Sequence, residues 1–332
     1  MTISKPHYFD SFRCIAGACP DSCCKEWEVQ VDAASAAYYR SLTGPLGDRL
    51  RQVLREDEDC GTLMTIENGR CPMWREDGLC RIQAELGEQA LCQVCTEFPR
   101  LRHDYGDFLE LGLELSCPEA ARIILSAHAT PPIVEETDGS AEAEYDRDAM
   151  DCLKASRSNA LSLLQLDRPV SERLALLLLY GYQAQAELDG EEELPFDPDA
   201  ALASASSFAK AGDIRLFAEF FRSLEILTPG WAELLQQAAQ SGLQEGCIPL
   251  ARYFIQRYWL QAVSDYDLAC RVKFMVIACL MINALPGSFQ ENAQLFSKEI
   301  ENNTENVEAI LDAAYSSAAF TDDKLLGLLL KP

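Results

Sequence analysis

Apolar residues recur three and four positions apart through the last two thirds of the chain, as at Leu216, Phe217, Phe220, Phe221 and Leu224, the spacing that lines one face of a helix. This pattern, with few Gly or Pro to interrupt it, predicts helices at about 142–165, 170–188, 200–225, 230–242, 247–264, 266–284, 291–312 and 319–330. The punctuation between them is Asp167-Arg168-Pro169, Leu194-Pro195-Phe196-Asp197-Pro198, Thr228-Pro229-Gly230 and Leu285-Pro286-Gly287. No fixed period repeats, which argues against a solenoid. The first 130 residues read differently, with turn signals at Asn68-Gly69 and Asp77-Gly78. A helix is expected at 33–56, broken at Gly44-Pro45, and another at 82–95, stopping before Pro99. Polar and apolar residues alternate at 26–32, which reads as a strand, and 107–115 reads as a second. Pro118 opens a helix running to about 127.

Charge and cysteine content sharpen this picture. The chain has 332 residues and a formal net charge of −25, of which −8 falls on residues 1–130 and −17 on the rest. Nucleic acid and an anionic membrane surface are poor partners for such a chain, whereas a lysine-bearing protein fits. The apolar runs 174–180 and 274–282 are too short to span a bilayer, so membrane insertion is not expected. Ten of the 14 cysteines lie in the first 117 residues. The start of the chain shows no apolar leader, so a cytoplasmic location with reduced thiols is expected, and clustered reduced thiols point to metal.

The spacings are Cys14-x4-Cys19-x3-Cys23-Cys24 and Cys71-x8-Cys80-x11-Cys92-x2-Cys95-x21-Cys117. Structural zinc usually takes paired CxxC knuckles, and Cys92-x2-Cys95 has no such partner. Only His7, His103 and His128 could complete a mixed site. An iron–sulfur cluster accepts wider spacings from separate loops, so it is the first choice and zinc the alternative, with disulfides or free thiols a third. Cys152, Cys247, Cys270 and Cys279 lie on apolar helical stretches and read as inert core residues. The CxxxCxxC of radical enzymes is broken, because Glu26 stands where its third cysteine would fall. The expected fold class is therefore mainly α. An irregular cysteine-rich metal-binding region with short strands (1–130) is followed by an acidic linker (131–141) and an all-α domain (142–332) for substrate or partner binding.

Phe12-Arg13-Cys14, Cys19-Pro20-Asp21-Ser22-Cys23-Cys24, Trp27, Val29 and Val31-Asp32 resemble the opening of the flagellin lysine-N-methylase (FliB-type) family. The likeness continues through Cys71-Pro72, Leu79-Cys80-Arg81-Ile82, Leu86-Gly87-Glu88, Cys95, Phe98-Pro99-Arg100 and Glu114-Leu115-Ser116-Cys117-Pro118-Glu119. It covers roughly residues 8–125. The resemblance implies methyl transfer from S-adenosylmethionine to lysine side chains of flagellin by a protein carrying an iron–sulfur cluster, 4Fe-4S by preference. It implies Cys14, Cys19, Cys23, Cys24, Cys71, Cys80, Cys95 and Cys117 as the metal ligands. Cys92 sits where the family has a serine-like residue and Cys60 lies outside the pattern, so both are left aside. Lys25-Glu26 stands where a glycine usually precedes the tryptophan, and Met73-Trp74 replaces a Phe-Leu pair. Eight ligands exceed the four of one cubane, so the pool serves two centres or includes structural thiols.

The chemistry needs a neutral lysine, and a free ammonium has a pKa of about 10.4. Asp32, Tyr105, Glu114 and Glu119 lie near the proposed ligands in sequence and are the proton acceptors considered, each with a plain structural alternative. His103 is a weaker titrating group, and Trp27 either stacks on an adenine or packs in a core. No GxGxxG occurs, so cofactor binding rests on the resemblance. Arg100 is the expected partner of the cofactor carboxylate, since a guanidinium binds it bidentately. Two other readings compete with the enzyme: a non-enzymatic metal-binding interaction protein, and a metal-sequestering or redox-sensing one.

Overall fold

The computed structural model describes every residue except Glu26, 138–141, Glu193 and Pro332. The chain is mainly α, as expected, but its first 136 residues hold more strand than their sequence announces. The strands are β1 (Thr2–Lys5), β2 (Val29–Val31), β3 (Leu54–Asp57), β4 (Gly61–Met64), β5 (Arg100–Asp104), β6 (Phe108–Leu113) and β7 (Ile133–Glu136). Helices α1 (Ala33–Ser41), α2 (Gly44–Val53), α3 (Arg81–Leu86), α4 (Gln93–Glu97) and α5 (Pro118–Ser126) lie among them. Two sheets result, one in the order β5-β6-β1-β7 and one in the order β2-β4-β3.

Local chemistry accounts for several boundaries. Asp32 caps α1 by accepting from Ser35 N at 2.9 Å. Gly44, at φ +80°, and Pro45 separate α2 from α1. Gly87 at φ +90° splits the helix expected at 82–95 into α3 and α4, because an L side chain rarely adopts that conformation. The edge strand β7 pairs antiparallel with β1, Thr2 opposite Glu136. The stretch read as an acidic linker therefore contributes to the sheet, and its residues Asp138, Gly139, Ser140 and Ala141 fall outside the described ones.

The remaining helices are α6 (Arg147–Leu163), α7 (Val170–Leu188), α8 (Pro198–Phe208), α9 (Ile214–Ser223), α10 (Pro229–Gln236), α11 (Cys247–Tyr258), α12 (Leu268–Ala284), α13 (Phe289–Phe296), α14 (Thr304–Ser316) and α15 (Asp322–Leu330). All residues of α12 are buried. It is the axis on which α7, α11 and α14 pack, which explains its apolar run without a membrane. No helix among the described residues is long and apolar enough to cross one. Two expected helices are interrupted. The one at 200–225 breaks into α8 and α9, and the one at 291–312 breaks into α13, a π-helical turn (Ser297–Glu301) and α14. Asn303 restarts the helix there by accepting from Asn306 N at 3.1 Å.

Two apolar cores divide the molecule. The small one gathers residues of β2, α1, α2, β4 and the cysteine loops, among them Val29, Tyr39, Leu50, Met73, Ile82 and Cys92. The large one unites the helices with Phe9, Phe12, Phe108, Leu113, Leu115 and α5. The start of the chain and residues 108–124 thus belong to the helical core, and the candidate site lies where the two cores meet.

Candidate functional site

Between the two cores lies a cavity of about 470 Å³. Six cysteines line it: Cys23, Cys24, Cys71, Cys80, Cys92 and Cys95. They arrive from three stretches of chain, each tied down locally. Cys71 N donates to Cys24 O at 2.8 Å, and Trp74 N to Cys71 O at 2.9 Å closes the turn after Pro72. Gly78, at φ +78°, turns the chain back so that Arg81 N reaches Met73 O at 2.7 Å and Cys80 stands at the start of α3. Cys92 opens α4, and Cys95 follows within that helix. A thiol preceding a helix faces free backbone N–H groups, which favour a thiolate.

The rest of the wall is apolar or comes from the helical part: Trp27, Met73, Leu91, Val94, Phe98, Leu227, Asn302 and Asn303. Trp27 packs against Phe98 with ring centroids 6.1 Å apart. Glu28 and Glu114 are the carboxylates on the wall among the described residues. Glu28 pairs with Arg55 at 2.9 Å and is exposed. Glu114 is part-buried, accepts from Ser116 Oγ at 2.9 Å and is hydrogen-bonded to Asn302. Burial raises its pKa above the ordinary carboxylate range, against the opposing charge of Arg257. Behind Asn302, Glu301 is fully enclosed and pairs with Arg257 at 3.2 Å. It also accepts from Tyr258 OH at 2.8 Å and Tyr253 OH at 3.1 Å.

The thiols perturb one another. A hydrogen bond from Cys23 lowers the pKa of Cys24, and one from Cys95 lowers that of Cys92; the donors are raised in turn. Burial pushes Cys71 up to about 12 and raises Cys80. Cys71 and Cys80 therefore keep their protons until a cation replaces them, whereas Cys24 and Cys92 ionise more readily. All 14 cysteines are free thiols. Among the described residues no three Cys, His, Asp or Glu side chains converge on one ion-sized point; the sulfurs instead surround a cavity. As donors they are those of a thiolate-bound centre, and each ligand of a cluster can bind a different iron.

Of the residues singled out in the sequence, Cys23, Cys24, Cys71, Cys80, Cys95, Trp27 and Glu114 lie on this wall, and Cys14, Cys19 and Cys117 do not. Cys92, set aside from the ligand pattern, does; its CxxC spacing to Cys95 was the available signal. Cys60 is exposed and lies apart, beside Gly61 and Thr62. Arg100 is on β5 with its guanidinium 5.3 Å from the centre of the Phe12 ring, and it is not on the cavity wall. Asp32 is held to about 2 by hydrogen bonds from Gln93 N and Ser35 N, which makes it a cap. Tyr105 stacks on Phe108 at 4.7 Å, Glu119 pairs with Arg122 at 2.7 Å, and burial lowers the pKa of His103.

Two lysine-N-methylases, of Salmonella typhimurium (strain LT2) and Salmonella choleraesuis, are each 30% identical to the chain over 143 residues, 41% of it and 36% of theirs. The chain thus matches little more than a third of the length of these relatives. The flagellar biosynthetic protein FliU of Salmonella muenchen is 31% identical over 132 residues, 38% of this chain and 78% of that one. No family model matches the chain, and no solved structure does. The order of its cysteines, read with these relatives, places the chain in the flagellin lysine-N-methylase family.

Proposed function

We propose that this chain is a protein-lysine N-methyltransferase that moves a methyl group from S-adenosylmethionine to lysine side chains of flagellin, with an iron–sulfur cluster at the cysteine-lined cavity. The observation that carries the reading is the meeting of six thiols in one cavity, in a chain related to proteins named lysine-N-methylase. Cys24, Cys71, Cys80 and Cys95 are the ligands of choice there, with Cys92 beside them. When bound, S-adenosylmethionine would supply an electrophilic methyl, and the cluster would be held by the thiolates of these cysteines.

The chain's own residues do the rest. Trp27, Phe98 and Leu91 give the wall an apolar surface that keeps water from part of it, which strengthens electrostatic interactions at the reacting amine. A lysine ammonium must first lose a proton. Glu114 is placed to take it: a carboxylate with a raised pKa is a better base near neutral pH than an exposed one. Ser116 and Asn302 hold that carboxylate in position.

The test is incubation of the anaerobically purified full chain with S-adenosylmethionine and flagellin. Mass spectrometry should find increments of about 14 Da on flagellin lysines, and the protein should absorb broadly near about 400 nm. Binding of metal without binding of S-adenosylmethionine would overturn the enzyme reading in favour of a metal-binding interaction protein. Cofactor binding without flagellin labelling would overturn the substrate.

A further inference from the structure

Val94, on α4, is 46% exposed and belongs to two hollows at once. It lines the cysteine cavity, and it lines a second hollow of about 490 Å³ whose walls include Gln30, Val31, Glu56, Thr62 and Gln93. The two also follow one another along β2, since Val29 lines the first and Val31 the second. Strand and helix are clasped at this point, where Asp32 accepts from Gln93 N at 2.9 Å. The second hollow is a surface feature: Gln30, Glu56, Gly61 and Gln93 on its walls are all exposed.

Charge on these walls has one sign. Glu28 and Glu114 stand on the first and Asp32 and Glu56 on the second, and no Lys, Arg or His lines either among the described residues. Asp32 is committed to capping α1. Glu28 and Glu56 are freer, because their partners Arg55 and Arg40 are 48% and 43% exposed, and ion pairs so open to water are weak. An incoming cation can therefore share these carboxylates. Spacing adds a second constraint. Residues two apart on a strand share a face and lie about 7 Å apart, so Val29 and Val31 set a step between the hollows that an extended polypeptide reproduces with its own residues i and i+2.

We propose that this trough along β2 and α4 docks the protein substrate as an extended segment, with the target lysine entering the cysteine-lined cavity and the side chain two positions away lying in the second hollow, where Glu56 selects Lys or Arg. Val94, at the junction, packs under the peptide backbone between the two side chains. An acidic side chain in the second hollow would meet Glu56 at like charge, so the trough disfavours it. The inference rests on the proposed function for the cavity as the reacting site, and extends that reading to a sequence preference in the substrate.

Short synthetic peptides with a single target lysine, and Arg, Gln or Glu two positions before or after it, test this. Initial rates of methylation by the anaerobically purified full chain with S-adenosylmethionine, read by mass spectrometry, should rank Arg above Gln above Glu, by about two- to fivefold per step of charge. Glu56→Lys should flatten or reverse that order. Glu308→Lys, the same change of charge at an exposed position on α14, should keep it. Equal rates across the peptides, a ranking untouched by Glu56→Lys, or one lost equally in Glu308→Lys would overturn the trough and leave the methyltransferase reading intact. If no peptide gains a methyl, fluorescence anisotropy of the same peptides, labelled, decides separately. Affinities in the same order, flattened by Glu56→Lys alone, would uphold the trough without the enzyme reading, and affinities with no order would overturn the trough as well.

Discussion

Glu301 carries its carboxylate into a fully enclosed position, where Arg257, Tyr253 and Tyr258 converge on it. Arg257 is itself largely buried, with 12% of its side chain exposed, so removing its partner strands a cation in a poorly solvated site. Glu301→Ala should therefore destabilise the fold by about 3–5 kcal/mol, read as a lower midpoint in urea. A loss under about 1 kcal/mol would mean that water or Glu114 compensates the arginine. At this scale much of the site was legible. The order of the cysteines, together with Trp27 and Glu114, named much of the cavity wall. Arg100 was chosen for its chemistry alone; the strand it lies on directs it to Phe12. Cys92 was passed over because pattern matching says nothing of where a helix cap points.

Among the elements, helices with a capping residue and an apolar stripe were readable, since both signals are local. Asp146 accepting from Ala149 N at 3.0 Å opens α6, and Asp267 accepting from Cys270 N at 3.2 Å opens α12. The strands β1, β3, β4, β5 and β7 were not foreseen, and β3 takes the last residues of the helix expected at 33–56. β1, β5 and β7 are short and largely polar; β1 and β7 are defined by partners far along the chain, such as Thr2 opposite Phe108, whereas β3–β4 and β5–β6 are hairpins fixed by their pairing. The break between α13 and α14 had a local signal in Asn302-Asn303-Thr304, outweighed by the apolar periodicity on either side. Close approach of elements yields a further expectation. A Cβ on Gly327 of α15 would fall 1.6 Å from Lys210 O and 2.6 Å from Lys210 C. Backbone atoms cannot rotate aside, so Gly327→Ala should displace α15 and cost at least about 2 kcal/mol. A melting temperature equal to that of the unsubstituted chain would contradict this.

For the whole molecule, the two cores differ greatly in size. Twelve buried residues make up the small one, too few to hold loops from 27 to 92 by apolar burial alone, whereas the large core spans the helical part and takes in Phe9, Phe12 and strand β6. Small apolar cores commonly need a metal or a cross-link, and no cysteine here is bridged. Removing metal with a chelator under anaerobic conditions should accelerate amide hydrogen exchange across 14–25 and 57–95 first. The amides of α7, α11 and α12 should keep their protection. Simultaneous loss in both regions would show one cooperative unit and count against a metal-stapled small core.

Several features follow from the sequence alone, because they depend on residues near one another along the chain: the mainly helical class, most helix positions, the acidic surface and the ordered ladder of cysteines. Tertiary structure decided which thiols share a cavity, that Phe9, Phe12 and residues 108–124 join the helical core, and that Gln294 joins Asp21 to Ser116. These outcomes depend on contacts between distant segments, and local spacing carries no information about which segments meet.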